Sequence, residues 1–96
     1  MTEQKMRREI LVLVREFCEK YHAPKDGFTP GERLPYAARV YDHEEMENLV
    51  ASALEFWLTA GHYTDEFERG LAAYLGVKHC SLVNSGSSAN LLAFMA

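Results

Sequence analysis

Cysteine, glycine and proline are scarce in this chain, and neither sign of charge runs to excess. Cys18 and Cys80 are the two cysteines of 96 residues, far apart, so the sequence encodes no disulfide framework and suits a reducing compartment. Six glycines and three prolines leave no low-complexity segment, and no internal repeat appears. A net charge of −4 argues against nucleic acid or an anionic membrane as partner. Charges interrupt every apolar stretch before it reaches membrane-spanning length. Residues Thr2 to Glu9 mix both signs and lack the apolar core of a signal peptide. These absences predict a cytoplasmic chain. At 48% hydrophobic and 25% charged residues it has a globular composition, with length for one small domain at most.

Periodicity then predicts the elements. Ile10, Leu11, Val14, Phe17, Cys18 and Tyr21 recur at helical steps, giving an amphipathic helix over about 2–21. From His22 to Tyr41, Pro24, Gly27, Pro30, Gly31 and Pro35 predict an extended linker, with Tyr36 and Arg39 its most conspicuous side chains. Asp42 and Glu45 have the spacing of a capping box at the start of a second helix. Met46, Leu49, Val50, Ala53, Leu54 and Trp57 form its buried stripe, and Gly61 follows its last turn. Thr64 is expected to start a third helix, with Asp65 and Glu66 suiting its dipole. Phe67, Leu71, Tyr74 and Leu75 face inward there, and Gly76 ends it as a left-handed cap. Residues 80–83 read as an apolar strand buried on both faces, which calls for neighbouring strands that this chain does not supply. The expected organisation is 1–41 as N-terminal helix and linker, and 42–96 as the start of an α/β domain.

The stretch with the most chemistry is Asn84-Ser85-Gly86-Ser87-Ser88-Ala89-Asn90, where the strand enters a turn that opens a fourth helix. Such a turn aims backbone N–H groups and hydroxyls at one point, where the helix dipole favours negative charge. It lacks the lysine of a Walker loop, the spaced glycines of a dinucleotide fingerprint and the flanking glycines of a nucleophile elbow. Two readings remain: an ordinary turn with Ser87 or a neighbour as N-cap, or a static site for a phosphate-bearing cofactor. The loop Thr59 to Thr64 reads equally as a helix connector or a ligand contact. His22, His43, His62 and His79 show no metal-ligand spacing, and His79 and Cys80, adjacent on a strand, would point to opposite faces. Trp57, Tyr63 and Phe67 read as packing residues. The chain ends about two turns into the fourth helix without a stop signal, and the expectation is an N-terminal piece of a larger enzyme.

Four blocks together resemble a family. Leu71-Ala72-Ala73-Tyr74-Leu75-Gly76-Val77-Lys78-His79 and the serine turn are similar to the N-terminal region of the DegT-type sugar-nucleotide aminotransferases, fold-type I enzymes of pyridoxal or pyridoxamine phosphate. Leu34 to Asp42 and Leu54 to Gly61 look closest to the branch that dehydrates CDP-4-keto-6-deoxyglucose at C3 in the synthesis of 3,6-dideoxysugars for O-antigens. Ala38 stands where that branch is expected to have glycine. The resemblance implies an α/β parent of which this chain holds three helices, one strand and the start of a fourth helix, with an incomplete sheet. It places the cofactor phosphate on Gly86, Ser87 and Ser88. It further implies a homodimer, a nucleotide-sugar substrate and, in the dehydratase branch, a [2Fe–2S] cluster and a separate flavin reductase. No catalytic residue, cluster ligand or metal ligand is assignable within these residues. Lys78 precedes the turn and does not match the family's Schiff-base lysine, so the chain alone is expected to be inactive. The alternatives are a sugar-nucleotide aminotransferase using the same turn, and a small independent helical protein with a role in protein interaction.

Overall fold

The computed structural model describes residues 1–24 and 27–96. Its helices are α1 (Glu3–Tyr21), α2 (His43–Ala53), α3 (His62–Leu75) and α4 (Gly86–Met95). The chain divides into two compact units, Met1–Leu58 and Thr59–Ala96. In the first unit α1 and α2 pack against each other.

In the first unit, the Thr2 hydroxyl accepts from Lys5 N–H at 3.3 Å and caps α1. At the other end His22 N–H donates to Cys18 C=O at 2.8 Å. The expected stripe of α1 is half-buried at Ile10, Leu11 and Val14 and buried at Cys18, whereas Phe17 and Tyr21 remain exposed and pack ring to ring at 5.2 Å. The described part of 22–41 is irregular, with Gly27 and Gly31 at φ +81° and +93°; Lys25 and Asp26 of the predicted linker lie outside the described residues. The Arg39 guanidinium sits 5.4 Å from the centre of the Tyr41 ring.

The capping box forms as its spacing predicts: Asp42 accepts from Glu44 N–H and Glu45 accepts from Asp42 N–H, both at 2.8 Å. The helix is shorter than the apolar pattern suggested. It ends at Ala53, and residues 54–56 turn out of it with Phe56 at φ 57°. Trp57 therefore lies beyond the helix, and Leu49 and Trp57 are exposed rather than buried. No basic residue stands in the last turn of α2. Arg7 of α1 supplies the charge instead, donating to the carbonyls of Ala51 at 3.3 Å and Leu54 at 3.5 Å. A cation there complements the negative end of the helix dipole and the orphan carbonyls.

The second unit begins earlier than expected. α3 starts at His62 with Gly61 as N-cap and no side-chain cap, so Thr64 lies inside the first turn with Asp65, and Glu66 falls beyond it. Its end matches the sequence reading. Gly76 takes φ +69°, Gly76 N–H donates to Ala73 C=O at 3.2 Å, and Val77 N–H donates to Ala72 C=O at 3.0 Å. That pair of bonds is a Schellman closure, and glycine adopts its left-handed angle without the β-carbon clash other residues meet. Ala72 is buried and Leu71 half-buried, but Phe67, Tyr74 and Leu75 are exposed, against the expectation that they face inward.

Residues 80–83 form no strand, and among the described residues no β-ladder occurs. The physical reason is the one the sequence raised: a strand exists by pairing, and no partner segment is present. The backbone there finds a side chain instead, Leu82 N–H donating to the Glu68 carboxylate of α3 at 2.8 Å. Among the described residues no helix is long and apolar enough to cross a membrane. Cys18 and Ala72 are the buried apolar residues among those described, so most large apolar side chains face outward.

Candidate functional site

The serine turn is built as a capped helix start. Ser85, in extended backbone, is the N-cap: its hydroxyl accepts from Ser88 N–H at 3.1 Å, and its carbonyl accepts from Ala89 N–H at 3.1 Å. The sequence had offered Ser87 or a neighbour for this position, and the structure selects the neighbour. The network continues outward. Ser85 Oγ–H donates to Ser88 Oγ at 3.1 Å, and Ser88 Oγ–H donates to Asn84 Oδ1 at 2.6 Å. Ser88 thus has both its donors engaged within the turn.

The first residues of a helix have N–H groups with no acceptor one turn back. In α4 these belong to Gly86, Ser87 and Ser88, and Ser85 takes up the last. The N–H groups of Gly86 and Ser87 therefore remain, beside an exposed Ser87 hydroxyl. No acidic residue stands in this first turn to repel an anion. Gly86 does not need its glycine for backbone angle, since its φ is outside the left-handed range, and a β-carbon there meets nothing within 4 Å in this chain. Any demand for glycine at this point comes from what approaches the turn. The donor set suits a phosphate: two main-chain N–H groups, one free hydroxyl and the positive end of a helix.

Other sequence candidates fall apart or gain duties. Gly61 begins α3, and the rings of His62 and Tyr63 lie 4.1 Å apart just after it. No group of His, Cys, Asp and Glu among the described residues has the arrangement of a metal site. The cluster that sequence reasoning missed joins α1 to α2. Arg15 grips Glu47 with Nη2–Oε1 at 2.9 Å and Nε–Oε2 at 3.2 Å, and His43 Nδ1 lies 2.6 Å from Glu47 Oε2. The hydrogen bond from Arg15, then that from His43, holds the Glu47 carboxyl below its ordinary value; the same bonds raise Arg15 and His43. The spacing of His43 and Glu47 on one helix was available in the sequence, but nothing local placed Arg15 opposite them.

A capped helix start with unpaired N–H groups suits an anion, and comparison with known sequences gives the class. The model of the DegT/DnrJ/EryC1/StrS aminotransferase family matches residues 40–96, which include α2, α3 and the whole turn. The chain belongs to that family. Lipopolysaccharide biosynthesis protein RfbH of Salmonella typhimurium is 35% identical over 96 residues, all of this chain and 22% of that protein. The dTDP-4-dehydro-2,6-dideoxy-D-glucose 3-dehydratase of Saccharopolyspora spinosa is 38% identical over 86 residues, 88% of this chain and 18% of that enzyme. A UDP-4-amino-4,6-dideoxy-N-acetyl-beta-L-altrosamine transaminase of Campylobacter jejuni is 36% identical over 63 residues, 66% of this chain and 17% of that enzyme. The chain thus spans about a fifth of the length of these curated relatives.

Proposed function

We propose that this chain is the N-terminal part of a sugar-nucleotide 3-dehydratase dependent on pyridoxamine or pyridoxal phosphate, of the CDP-4-keto-6-deoxyglucose type, acting in the cytoplasm in O-antigen sugar synthesis. The observation that carries the reading is the capped turn at the start of α4, with its free N–H groups at Gly86 and Ser87, inside the segment matched by the family. The turn's share of the work is to hold the cofactor phosphate on the N–H groups of Gly86 and Ser87 and the Ser87 hydroxyl, while Ser88, its own donors spent on Ser85 and Asn84, holds the turn's shape. When bound, the cofactor supplies an electron sink beside the sugar ketone. Ser85 and Asn84 keep the turn in register. No proton-moving group, partner of the pyridine nitrogen or [2Fe–2S] ligand is assigned among these residues; a homodimer and a separate flavin reductase are the partners proposed for the longer protein.

The dehydratase reading is preferred over the aminotransferase reading for a specific reason. The likeness to the 3-dehydratase covers 88% of the chain, and that to the Salmonella lipopolysaccharide protein, which runs over all of it, supports the O-antigen setting. The likeness to the transaminase covers 66%. The test is a protein that carries this chain and continues to the length of its relatives. Absorbance titration is expected to show pyridoxamine or pyridoxal phosphate binding. A CDP-4-keto-6-deoxy sugar is expected to lose its C3 hydroxyl. Amine transfer to the sugar without dehydration would establish the aminotransferase instead, and absence of cofactor binding would overturn both.

A further inference from the structure

His43 stands between α1 and α2 with a carboxylate at each ring nitrogen. Nδ1 lies 2.6 Å from Glu47 Oε2 on its own helix, and Nε2 lies 3.8 Å from Glu19 Oε1 on α1. Carboxylates only accept hydrogen bonds, whereas a neutral imidazole has one N–H and one bare lone pair. At 2.6 Å the Nδ1 side needs its proton, so a neutral ring turns its lone pair toward Glu19. At 3.8 Å the Glu19 contact is too long for a hydrogen bond and is an ion pair, attractive only when the ring carries both protons. The remaining charges around it are Asp42 at the N-cap of α2 and Arg15 from α1. Arg15 opposes the second proton, but it is itself bound to Glu47.

We propose that His43 is a proton-operated latch on the α1–α2 pair: protonated, it links Glu19 of α1 to Glu47 of α2, and neutral, it releases Glu19 and loosens the pair. The apolar groove lined by Ile10, Val14, Phe17, Met46 and Val50 lies along that pair, so its exposure follows the proton. The hydrogen bond to Glu47 is the main cause that raises the His43 value, against desolvation, with Asp42 adding to it. A raised folded value fixes the sign. The latch is fully closed below the unfolded value of about 6.5 and opens as pH rises through the higher folded value.

The test uses the 96-residue chain, with His43 followed by nitrogen-resolved NMR and the helix amides by hydrogen exchange between about pH 5.5 and 8.5. His43 is expected to titrate above a peptide histidine, and Glu19→Gln is expected to lower its midpoint while leaving the Arg15–Glu47 bonds in place. Protection of α1 and α2 amides, corrected for intrinsic exchange, is expected to fall several-fold across that midpoint, and not to fall in His43→Gln. A His43 midpoint equal to that of an unstructured peptide overturns the latch, whether the ring is free in a folded chain or the chain is unfolded. So does an equal pH dependence in His43→Gln, or a midpoint indifferent to Glu19→Gln.

Discussion

Replacing Ser87 and Ser88 one at a time by alanine separates binding from scaffolding in the serine turn. Ser88 spends its N–H on Ser85 and its O–H on Asn84, so it has no donor to offer an anion unless one of these bonds breaks. Ser87 has an exposed hydroxyl, with no hydrogen-bond partner among the described residues. Ser87→Ala therefore removes one hydrogen bond to a charged group, on the order of 1.5–3 kcal/mol, or roughly ten- to a hundredfold in affinity. The N–H groups of Gly86 and Ser87 survive that change, so binding weakens without being abolished. Ser88→Ala loses the hydroxyl links to Ser85 and Asn84 but keeps its N–H on the Ser85 cap. A smaller loss follows, on the order of one net hydrogen bond, about 1 kcal/mol. The assay is the dissociation constant of pyridoxal phosphate, by absorbance titration, in a protein that extends this chain to the length of its relatives. A larger loss from Ser88→Ala than from Ser87→Ala would refute the assignment of donors. Unchanged affinity in both would make the turn a helix cap and nothing more.

Gly86→Ala meets no obstacle within the chain, so a fall in cofactor affinity without a fall in melting temperature would report a ligand approaching the backbone; a fall in stability instead would contradict the open space at that position. Gly76→Ala is expected to destabilise α3 by about 1–2 kcal/mol, because its φ of +69° is strained for any residue with a β-carbon; chemical denaturation checks this. Arg7→Gln removes the cation at the end of α2 and is expected to weaken the α1–α2 pair by about 0.5–1 kcal/mol, less at high salt, read from the melting midpoint at two ionic strengths. Glu47 is held below its ordinary value by Arg15 and His43, so its contribution is present above the ordinary carboxylate range and lost as pH falls through the lower folded value. An acid titration by circular dichroism should show that step, and Glu47→Gln should erase it. The chain by itself, with so few buried residues, is expected to bind a hydrophobic dye and to lack dehydratase and transaminase activity; turnover of a CDP-4-keto sugar by it would refute this.

Features written in neighbouring residues were legible in the sequence. Asp42 and Glu45 close their box, and Gly76 ends α3 in the left-handed conformation, since each depends on partners a few positions away. The family and the capped turn that opens α4 were legible for the same reason: Asn84 to Asn90 is one continuous run. Where a helix begins or ends without such a signal, local reading slipped. Phe56 turns α2 off before Trp57 although no glycine marks the place, and Gly61 preempts Thr64 as the cap of α3. Tertiary structure alone decided which apolar faces find cover: Leu49, Tyr74 and Leu75 have the right spacing, yet no neighbouring surface covers them here. It also decided the long-range pairs, Arg15 with Glu47, Arg7 with the carbonyls of α2, and Leu82 N–H with Glu68. Periodicity says which face is apolar, but contact needs a second surface, and a strand at 80–83 needs a second strand.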